Sequence, residues 1–180
     1  MQYKYIADLH LFDPDSLDWR THMTLDSYAN LLVSNWNSII TPADFIFIVG
    51  DVGNYCQQTL DVLHSLKGTK ILIIGNHDES WGNYLYSCKA FQGIYSSIDT
   101  EDMYVTHIPP KTRSQSKVTI HGHHHDYFTS GMMVTLREYA ADTYRYNCAA
   151  DLIGNKPCTL QELILHKELL LDKAKDKGYI

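Results

Sequence analysis

The chain has 180 residues, of which 44% are hydrophobic and 20% are charged. These proportions are typical of one globular domain with a sizeable core, and they argue against a disordered chain. A formal charge of −6 and a pI near 5.9 disfavour a surface that holds long nucleic acid, because such surfaces are usually basic. We therefore predict a single domain over residues 1–180 that acts on a small or locally bound substrate.

The cysteines and the apolar segments indicate the compartment. Four cysteines are widely spaced without a C-x-x-C motif, which favours reduced thiols. The N-terminal "MQYKYIADLH" lacks the apolar core of a signal peptide. No apolar run approaches the roughly 20 residues that span a bilayer. We expect a cytoplasmic protein with no membrane partner.

The first half of the chain alternates strand and helix signals. The segment "YKYIADLH" predicts a strand, and apolar residues at helical spacing follow between a capping Thr24 and Pro42. The next strand, "DFIFIV", is followed by a helix that ends at Gly68 and by the strand "KILII". The last two strands are apolar on both faces, as central parallel strands are. The pattern predicts a βαβαβ unit of a layered α/β domain.

The second half carries short runs of β-rich residues between turn signals. We interpret "DMYVTH", "KVTIHG", "MMVTLREY" and "TYRYNCA" as mostly antiparallel strands of a second sheet. A final helix is predicted from Leu160 to about Lys175, with Thr159 and Glu162 forming a capping box. We interpret this helix as structural.

Five polar motifs each follow a predicted strand. They are "DLH" at 8–10, "GDVGN" at 50–54, "GNHD" at 75–78, His107, and "HGHHH" at 121–125. In extended chain, residues i and i+2 point to one side, so Asp8 can chelate an ion together with His10, and His123 together with His125. The mixed oxygen and nitrogen donors suit two first-row ions rather than one tetrahedral zinc. A carboxylate such as that of Asp51 can bridge two ions.

In order and spacing, these motifs resemble the calcineurin-like metallophosphoesterase superfamily, whose pattern is D-x-H, G-D-x-x-D/N, G-N-H-D/E, H and G-H-x-H. The segments "WNSIITPADFIFIVGD" and "YNCAADLIGNKPCTLQEL" resemble small bacterial and phage members. The resemblance implies a four-layer α-β-β-α sandwich with a dinuclear metal site at the carboxyl ends of the strands.

The resemblance also implies roles for individual residues. One metal would be held by Asp8, His10 and His125, the other by Asn76, His107 and His123, with Asp51 bridging them. His77 would face the substrate and protonate the leaving group. Asn54 stands where many relatives have an aspartate bonded to the catalytic histidine, so it would orient His77 without adding negative charge. We therefore expect His77 to be a weaker acid reservoir than in those relatives.

The implied function is hydrolysis of a phosphodiester of modest size. Two cations lower the pKa of a bridging water, and the resulting hydroxide attacks phosphorus. Mn²⁺ is the expected metal, with Fe/Zn or Ni as alternatives. Three other functions stay open: a phosphomonoesterase acting on a small metabolite or nucleotide, a nuclease acting on oligonucleotide ends, and a non-catalytic metal-binding scaffold. A protein phosphatase is disfavoured, because "GDVGNYCQ" lacks the arginine of those enzymes.

Other polar residues near the motifs have simpler interpretations. His121 and His124 are expected to point away from the metals, in supporting or solvent-facing positions. The basic residues Lys111, Arg113 and Lys117 form a loop cluster that reaches either a substrate phosphate or only solvent. The loop at 11–23 leaves the first motif directly and is a candidate wall of the pocket.

Overall fold

The structure, a computed structural model, describes residues 3–112, 117–128 and 131–180, except the side chain at position 133. Within these residues the strands form two four-stranded sheets, so the chain is a mixed α/β protein. The first sheet is parallel throughout and has the order β1-β2-β3-β4. Its strands are β1 (Tyr3–Ile6), β2 (Phe45–Val49), β3 (Thr69–Ile73) and β4 (Gly93–Tyr95).

The predicted βαβαβ unit is confirmed. Helix α1 (Leu25–Ile39) joins β1 to β2, and helix α2 (Gln57–Ser65) joins β2 to β3. Thr24 caps α1 as predicted, because its hydroxyl accepts the backbone N–H of Ser27 and the Ser27 hydroxyl accepts the Thr24 N–H. A short helix, α3 (Tyr84–Ser87), precedes β4.

The second sheet has the order β5-β6-β7-β8, and most of its pairs are parallel. Its strands are β5 (Ser97–Asp99), β6 (Met103–Thr106), β7 (Val118–His121) and β8 (Arg145–Asn147). Only β5 and β6 pair antiparallel. The prediction of mostly antiparallel strands is therefore wrong. Parallel strands need a long crossover, and a helix between β7 and β8 supplies one.

That crossover helix is α4 (Met133–Ala141), formed by the segment that we predicted as the strand "MMVTLREY". Its β-branched residues favoured a strand, but Leu136 and Tyr139 are three residues apart and are both buried on one helical face. They pack with Ala174 of helix α5 (Leu160–Asp176). Burial against α5 thus overrides local β propensity.

Helix α5 begins where predicted. The Thr159 hydroxyl accepts the Glu162 N–H, and the Glu162 carboxylate accepts the Thr159 N–H, which completes the capping box. Within the part of the chain that the structure describes, no helix combines the length and the apolar character that crossing a bilayer requires. All four cysteines are free.

The two sheets meet where β1 ends. The Ala7 N–H donates to the Cys148 carbonyl over 2.8 Å, and the Ala150 N–H donates to the Ala7 carbonyl over 2.9 Å. Buried residues of both sheets, including Ile48 of β2 and Ile120 of β7, belong to one hydrophobic cluster. These contacts bring the loops that follow the strands of the two sheets to a common edge.

Trp36 gives a test of the packing between α1 and the first sheet. Its side chain is fully buried, and its indole N–H donates to the Lys67 carbonyl over 2.9 Å. We expect Trp36→Ala to lower the free energy of unfolding by about 3–5 kcal/mol, because it leaves a cavity and an unpaired carbonyl. Chemical denaturation measures this change. Tyr86→Ala, at a side chain that is 66% exposed, is the control and should change stability little; equal losses in both variants would contradict the packing argument.

Candidate metal centre

Aspartates and histidines from both sheets converge at the common edge. Within the described residues, three groups place one ligand atom per residue within 4.8 Å of one another. They are Asp8, His10 and His125 (the first cluster); Asp51, His107 and His123 (the second cluster); and His10, Asp13 and His77. The first two clusters contain six of the seven predicted ligands.

The first cluster joins the loop after β1 to the loop after β7. The His125 Nε2 lies 3.4 Å from the Asp8 Oδ1. The His10 Nε2 is buried without a hydrogen-bond partner and points toward Asp51, whose Oδ2 is 3.7 Å away. A buried imidazole nitrogen without a partner is costly unless it binds something. The lone pair of His10 Nε2 therefore fits a metal ion.

The second cluster centres on His107, directly after β6. Its Nδ1 donates to the Val49 carbonyl over 2.8 Å, so Nε2 is the nitrogen that faces the other groups of the cluster and that can bind an ion once it is deprotonated. This Nε2 lies 3.1 Å from the Asp51 Oδ2 and 3.0 Å from the Asn76 Oδ1. The seventh predicted ligand, Asn76, thus adjoins the second cluster. The His123 ring centroid is 5.3 Å from that of His107.

Asp51 connects the two clusters through a single atom. Its Oδ2 is 3.7 Å from the His10 Nε2 and 3.1 Å from the His107 Nε2, so it stands between one imidazole of each cluster. The other oxygen, Oδ1, accepts the backbone N–H of His77 over 2.9 Å. This arrangement fixes the carboxylate in the orientation that a bridging ligand needs.

Two carboxylates that the sequence analysis missed orient the histidines of the first cluster. The Asp13 Oδ2 lies 2.8 Å from the His10 Nδ1, and the Asp151 Oδ2 lies 3.0 Å from the His125 Nδ1. Each bond turns the Nε2 of its histidine toward the centre. Carboxylates placed behind metal-binding histidines fix the tautomer and raise the basicity of the ligand. Asp13 lies in the same loop as His10, whereas Asp151 is distant in the chain.

The loop at 11–23 anchors Asp151. The Arg20 Nε donates to the Asp151 Oδ1 over 2.9 Å, and the Trp19 indole N–H donates to Oδ2 over 3.0 Å. Arg20 is buried, and its guanidinium also donates to the carbonyls of Leu9 and Asp8, both over 3.1 Å. Burial acts to raise the pKa of Asp151, but the hydrogen bonds with His125 and Arg20 and the charge of Arg20 lower it to about 2. The loop therefore forms a wall of the site, as predicted.

Asp78, the last residue of "GNHD", holds two of the loops together. Its buried carboxylate accepts the backbone N–H groups of Asp51, Val52 and Gly75 over 2.9, 2.8 and 2.7 Å. Burial raises the pKa of this carboxyl, and the three donors act against that shift. The loops after β2 and β3 are thereby fixed relative to each other. Asp78 lies within the motif "GNHD", but nothing in that motif alone predicts this role.

Four of the proposed ligands have left-handed backbone conformations. Their φ angles are 57° at Asp8, 42° at His10, 54° at Asp51 and 74° at His123. Such angles are uncommon for non-glycine residues and cost roughly 1–3 kcal/mol each. Strain of this kind is concentrated at functional sites, where the surrounding structure holds it in place.

The same angles correct our account of how the ligands come together. We expected Asp8 and His10 to share one face of an extended strand, but β1 ends at Ile6 and both residues lie beyond it with positive φ. Their convergence follows from the strained turn. His123 and His125, expected to chelate one ion by alternation, fall into different clusters.

Two glycines allow the loops to approach this closely. A Cβ on Gly50, which has φ of 88°, would lie 2.3 Å from the His107 Nδ1. A Cβ on Gly75 would lie 2.2 Å from the Asp51 Oδ1. Larger residues at these positions would displace the second cluster.

The proton affinities of the clustered groups are strongly perturbed. Burial raises the pKa of Asp8 to about 6 and lowers that of His10 to about 4. Burial alone would lower the pKa of His107, but its bond to Asp51 and the charge of Asp8 raise it to about 9. The pKa of Asp51 falls despite burial, because His107 donates to it. Perturbed groups of both signs in one cleft are typical of functional sites.

His77 and Asn54 lie on the solvent side of the clusters. The His77 side chain is exposed, and its ring centroid is 5.1 Å from that of His10. The Asn54 amide donates to the Phe12 carbonyl over 3.0 Å. This bond anchors Asn54 to the loop at 11–23, so a direct role for Asn54 in orienting His77 stays a prediction.

The remaining predicted side chains take peripheral positions. His121 is fully buried on β7 and bonds the Gly122 carbonyl, and neither it nor His124 belongs to a described cluster. Lys111 is exposed, and Lys117 pairs with Asp99. Arg113 lies outside the described residues.

Comparisons with known proteins give information on the fold of the chain but not on the chemistry of the clusters. The chain is 25% identical over 128 residues to the uncharacterized protein MJ1445 of Methanocaldococcus jannaschii, which covers 67% of each chain. It is similar in structure to the protein of unknown function AQ665 from Aquifex aeolicus, with a TM-score of 0.63 and 21% identity. That similarity covers 89% of this chain and 96% of the other. No family model matches the chain.

Asp13 provides a test of metal binding that spares the ligands. Asp13→Asn keeps an oxygen for the Asp15 N–H but removes the negative charge behind His10. We expect the affinity for Mn²⁺ to fall by about 10- to 100-fold, measured by competition with a chelating dye. Asp18→Asn, at an exposed position in the same loop, is the control. Unchanged affinity in Asp13→Asn would argue against His10 as a ligand.

Asp78 provides a test of how the loops are held. Asp78→Asn places an NH₂ group against backbone donors and leaves at least one buried N–H unpaired, which costs about 1–3 kcal/mol. We therefore expect Asp78→Asn to unfold at a lower urea concentration than the parent protein. Asp61→Asn, on the exposed face of α2, should stay within about 0.5 kcal/mol of the parent protein. Equal stability of the two variants would contradict the proposed role of Asp78.

Proposed function

We propose that this protein is a metal-dependent phosphoesterase that hydrolyses a phosphodiester at a dinuclear centre. On this proposal the chain, residues 1–180, is a single domain of the calcineurin-like metallophosphoesterase superfamily, with its two sheets and outer helices arranged as a four-layer α-β-β-α sandwich. The motif order supports the family, and the pairing of the two sheets through one core supports the sandwich.

The observation that carries the proposal is the position of Asp51. One oxygen of a buried carboxylate lies within 3.7 Å of His10 and 3.1 Å of His107, which belong to separate clusters. A single ion would need only one cluster. A carboxylate oxygen that lies between one imidazole of each cluster favours a pair of ions, which Asp51 would bridge.

The two clusters define the proposed ligand sets. Asp8, His10 and His125 would hold one ion, and Asn76, His107 and His123 would hold the other. The set combines carboxylate, amide and imidazole donors without thiolate, which suits Mn²⁺ or an Fe/Zn pair and leaves Ni²⁺ as an alternative. A bound pair of divalent ions lowers the pKa of a water molecule and neutralises charge on the phosphoryl group.

The residues around the ions have separate tasks. Asp13, Asp151 and the Val49 carbonyl orient the imidazoles, so the ligands need little reorganisation when the substrate binds. His77 lies on the solvent side of the clusters, where the leaving group departs. It donates a proton to the leaving oxygen of the ester as a general acid.

The charge of the protein bears on the substrate. A net charge of −6 disfavours long nucleic acid and favours a small ester that is gripped at the metal ions. A phosphodiester carries one negative charge where a monoester carries up to two, so it approaches an acidic protein at lower electrostatic cost. We therefore place the diester ahead of the monoester.

A paired assay tests this function. Protein reconstituted with Mn²⁺ is analysed for metal content and assayed with bis(4-nitrophenyl) phosphate beside 4-nitrophenyl phosphate. We expect two ions per chain and faster turnover of the diester. Asp51→Asn should lose metal and turnover together. His77→Ala should keep both ions but lose about 10²- to 10⁴-fold in kcat.

Two variants on α2 serve as matched controls, because Asp61 and His64 are both exposed there. Asp61→Asn and His64→Ala should behave like the parent protein. Diester turnover that survives in Asp51→Asn would contradict the dinuclear mechanism. Two bound ions without turnover of either ester would favour the non-catalytic scaffold.

A further inference from the structure

A cavity of about 400 Å³ lies directly beside the first cluster. Trp19, His125 and Asp151 form its inner wall, and Phe128, Leu169 and Leu170 contribute to the outer part. One of the proposed metal ligands therefore lines the cavity. A phosphoester held at the ions would project one of its substituents into this space.

Trp19 links the cavity to the metal centre. Its ring centroid lies 4.6 Å from that of His125 and 5.4 Å from that of His10, and its indole N–H bonds Asp151. The ring is thus fixed by contacts with the centre, although 39% of the side chain is exposed. An aromatic ring held rigidly at a pocket wall offers a face for stacking.

The lining of the cavity favours an uncharged group. Asp151 pairs with Arg20, and the lining also holds one cation, Lys173, and one further carboxylate, Asp126. The lining therefore carries no excess of positive charge that would favour a second phosphate. The rest of the lining is aromatic or aliphatic apart from the imidazoles of His125 and His166, and it offers apolar surface to a flat ring.

The outer edge of the cavity carries an unusually exposed apolar side chain. Leu169 on α5 is 68% exposed and lines the cavity. Leu165, one turn earlier, is 57% exposed but does not line it. The two leucines are therefore similar in chemistry and differ in whether they face the cavity.

We propose that this cavity binds the nucleoside portion of the phosphodiester substrate, with its base stacked against Trp19. The proposal rests on the phosphodiesterase function and specifies its substrate class. Sites that bind small organic ligands typically have volumes of about 300–1,000 Å³ and combine apolar or aromatic walls with polar groups that orient the ligand. At about 400 Å³, the cavity has room for one nucleoside but not for a longer segment of an oligonucleotide.

The first test measures binding without catalysis. Free thymidine is titrated into the full-length protein, and binding is followed by NMR line broadening of the ligand. We expect Leu169→Glu to weaken binding by about 10- to 150-fold, because a carboxylate replaces an apolar side chain that the bound nucleoside would cover. Leu165→Glu should bind thymidine like the parent protein. Absence of binding up to millimolar concentration, or equal weakening in both variants, would overturn the proposal.

The second test compares two diesters with the same leaving group, methyl 4-nitrophenyl phosphate and thymidine 5′-(4-nitrophenyl) phosphate. We expect kcat/KM to be at least about 10-fold higher for the thymidine ester, and this ratio should approach one in Leu169→Glu but not in Leu165→Glu. Equal kcat/KM values in the parent protein would overturn the proposal and leave the phosphodiesterase function intact. Thymidine binding without turnover of either ester would instead support the pocket and contradict the catalytic function.

Discussion

The structure around the centre depends on burying carboxylates where parallel strands end. A buried carboxylate costs several kcal/mol unless donors or cations compensate it. Asp78 is compensated by three backbone N–H groups, Asp8 by the His123 N–H, and Asp51 by the His77 N–H and by His107. Each compensation ties one loop to another. The positive φ angles at the centre are the backbone conformations that these ties require.

The ordered motifs predicted most of the centre, because ligands that directly follow strands form short motifs that are recognisable in the sequence. Six of the seven predicted ligands fall into two clusters, and the seventh adjoins one of them. Asp13 and Asp151 belong to no such motif. A single aspartate in a loop looks like an ordinary solvated residue, and Asp151 reaches His125 only because β8 lies beside β7. Their roles depend on tertiary contacts that no local pattern encodes.

Three strands of each sheet were predicted from the sequence, whereas β4, β5 and the pairing direction in the second sheet were not. In the first half of the chain, helical and strand periods alternate clearly, and α1 lies between a capping Thr24 and Pro42. In the second half, β-branched residues in α4 indicated a strand. The buried face of that helix packs against residues of α5 that follow it in the chain by 30 or more positions. The parallel pairing of β7 with β8 follows from that missed helix, because a helical crossover brings the chain back in the same direction.

Each cluster combines residues from both sheets, so metal binding would also affect the contact between the sheets at Ala7 (the seam). The loops of the first sheet supply Asp8 and Asp51, the loops of the second supply His107 and His123, and Ala7 joins the two sheets between them. An ion bound by residues of both sets would hold the two sheets together at this seam. By mass action it would stabilise the form in which the sheets are in contact. Opening of the seam, visible as amide hydrogen exchange at Ala7, would then slow as the ion concentration rises. Metal supply would thus also affect how long the protein resists proteolysis.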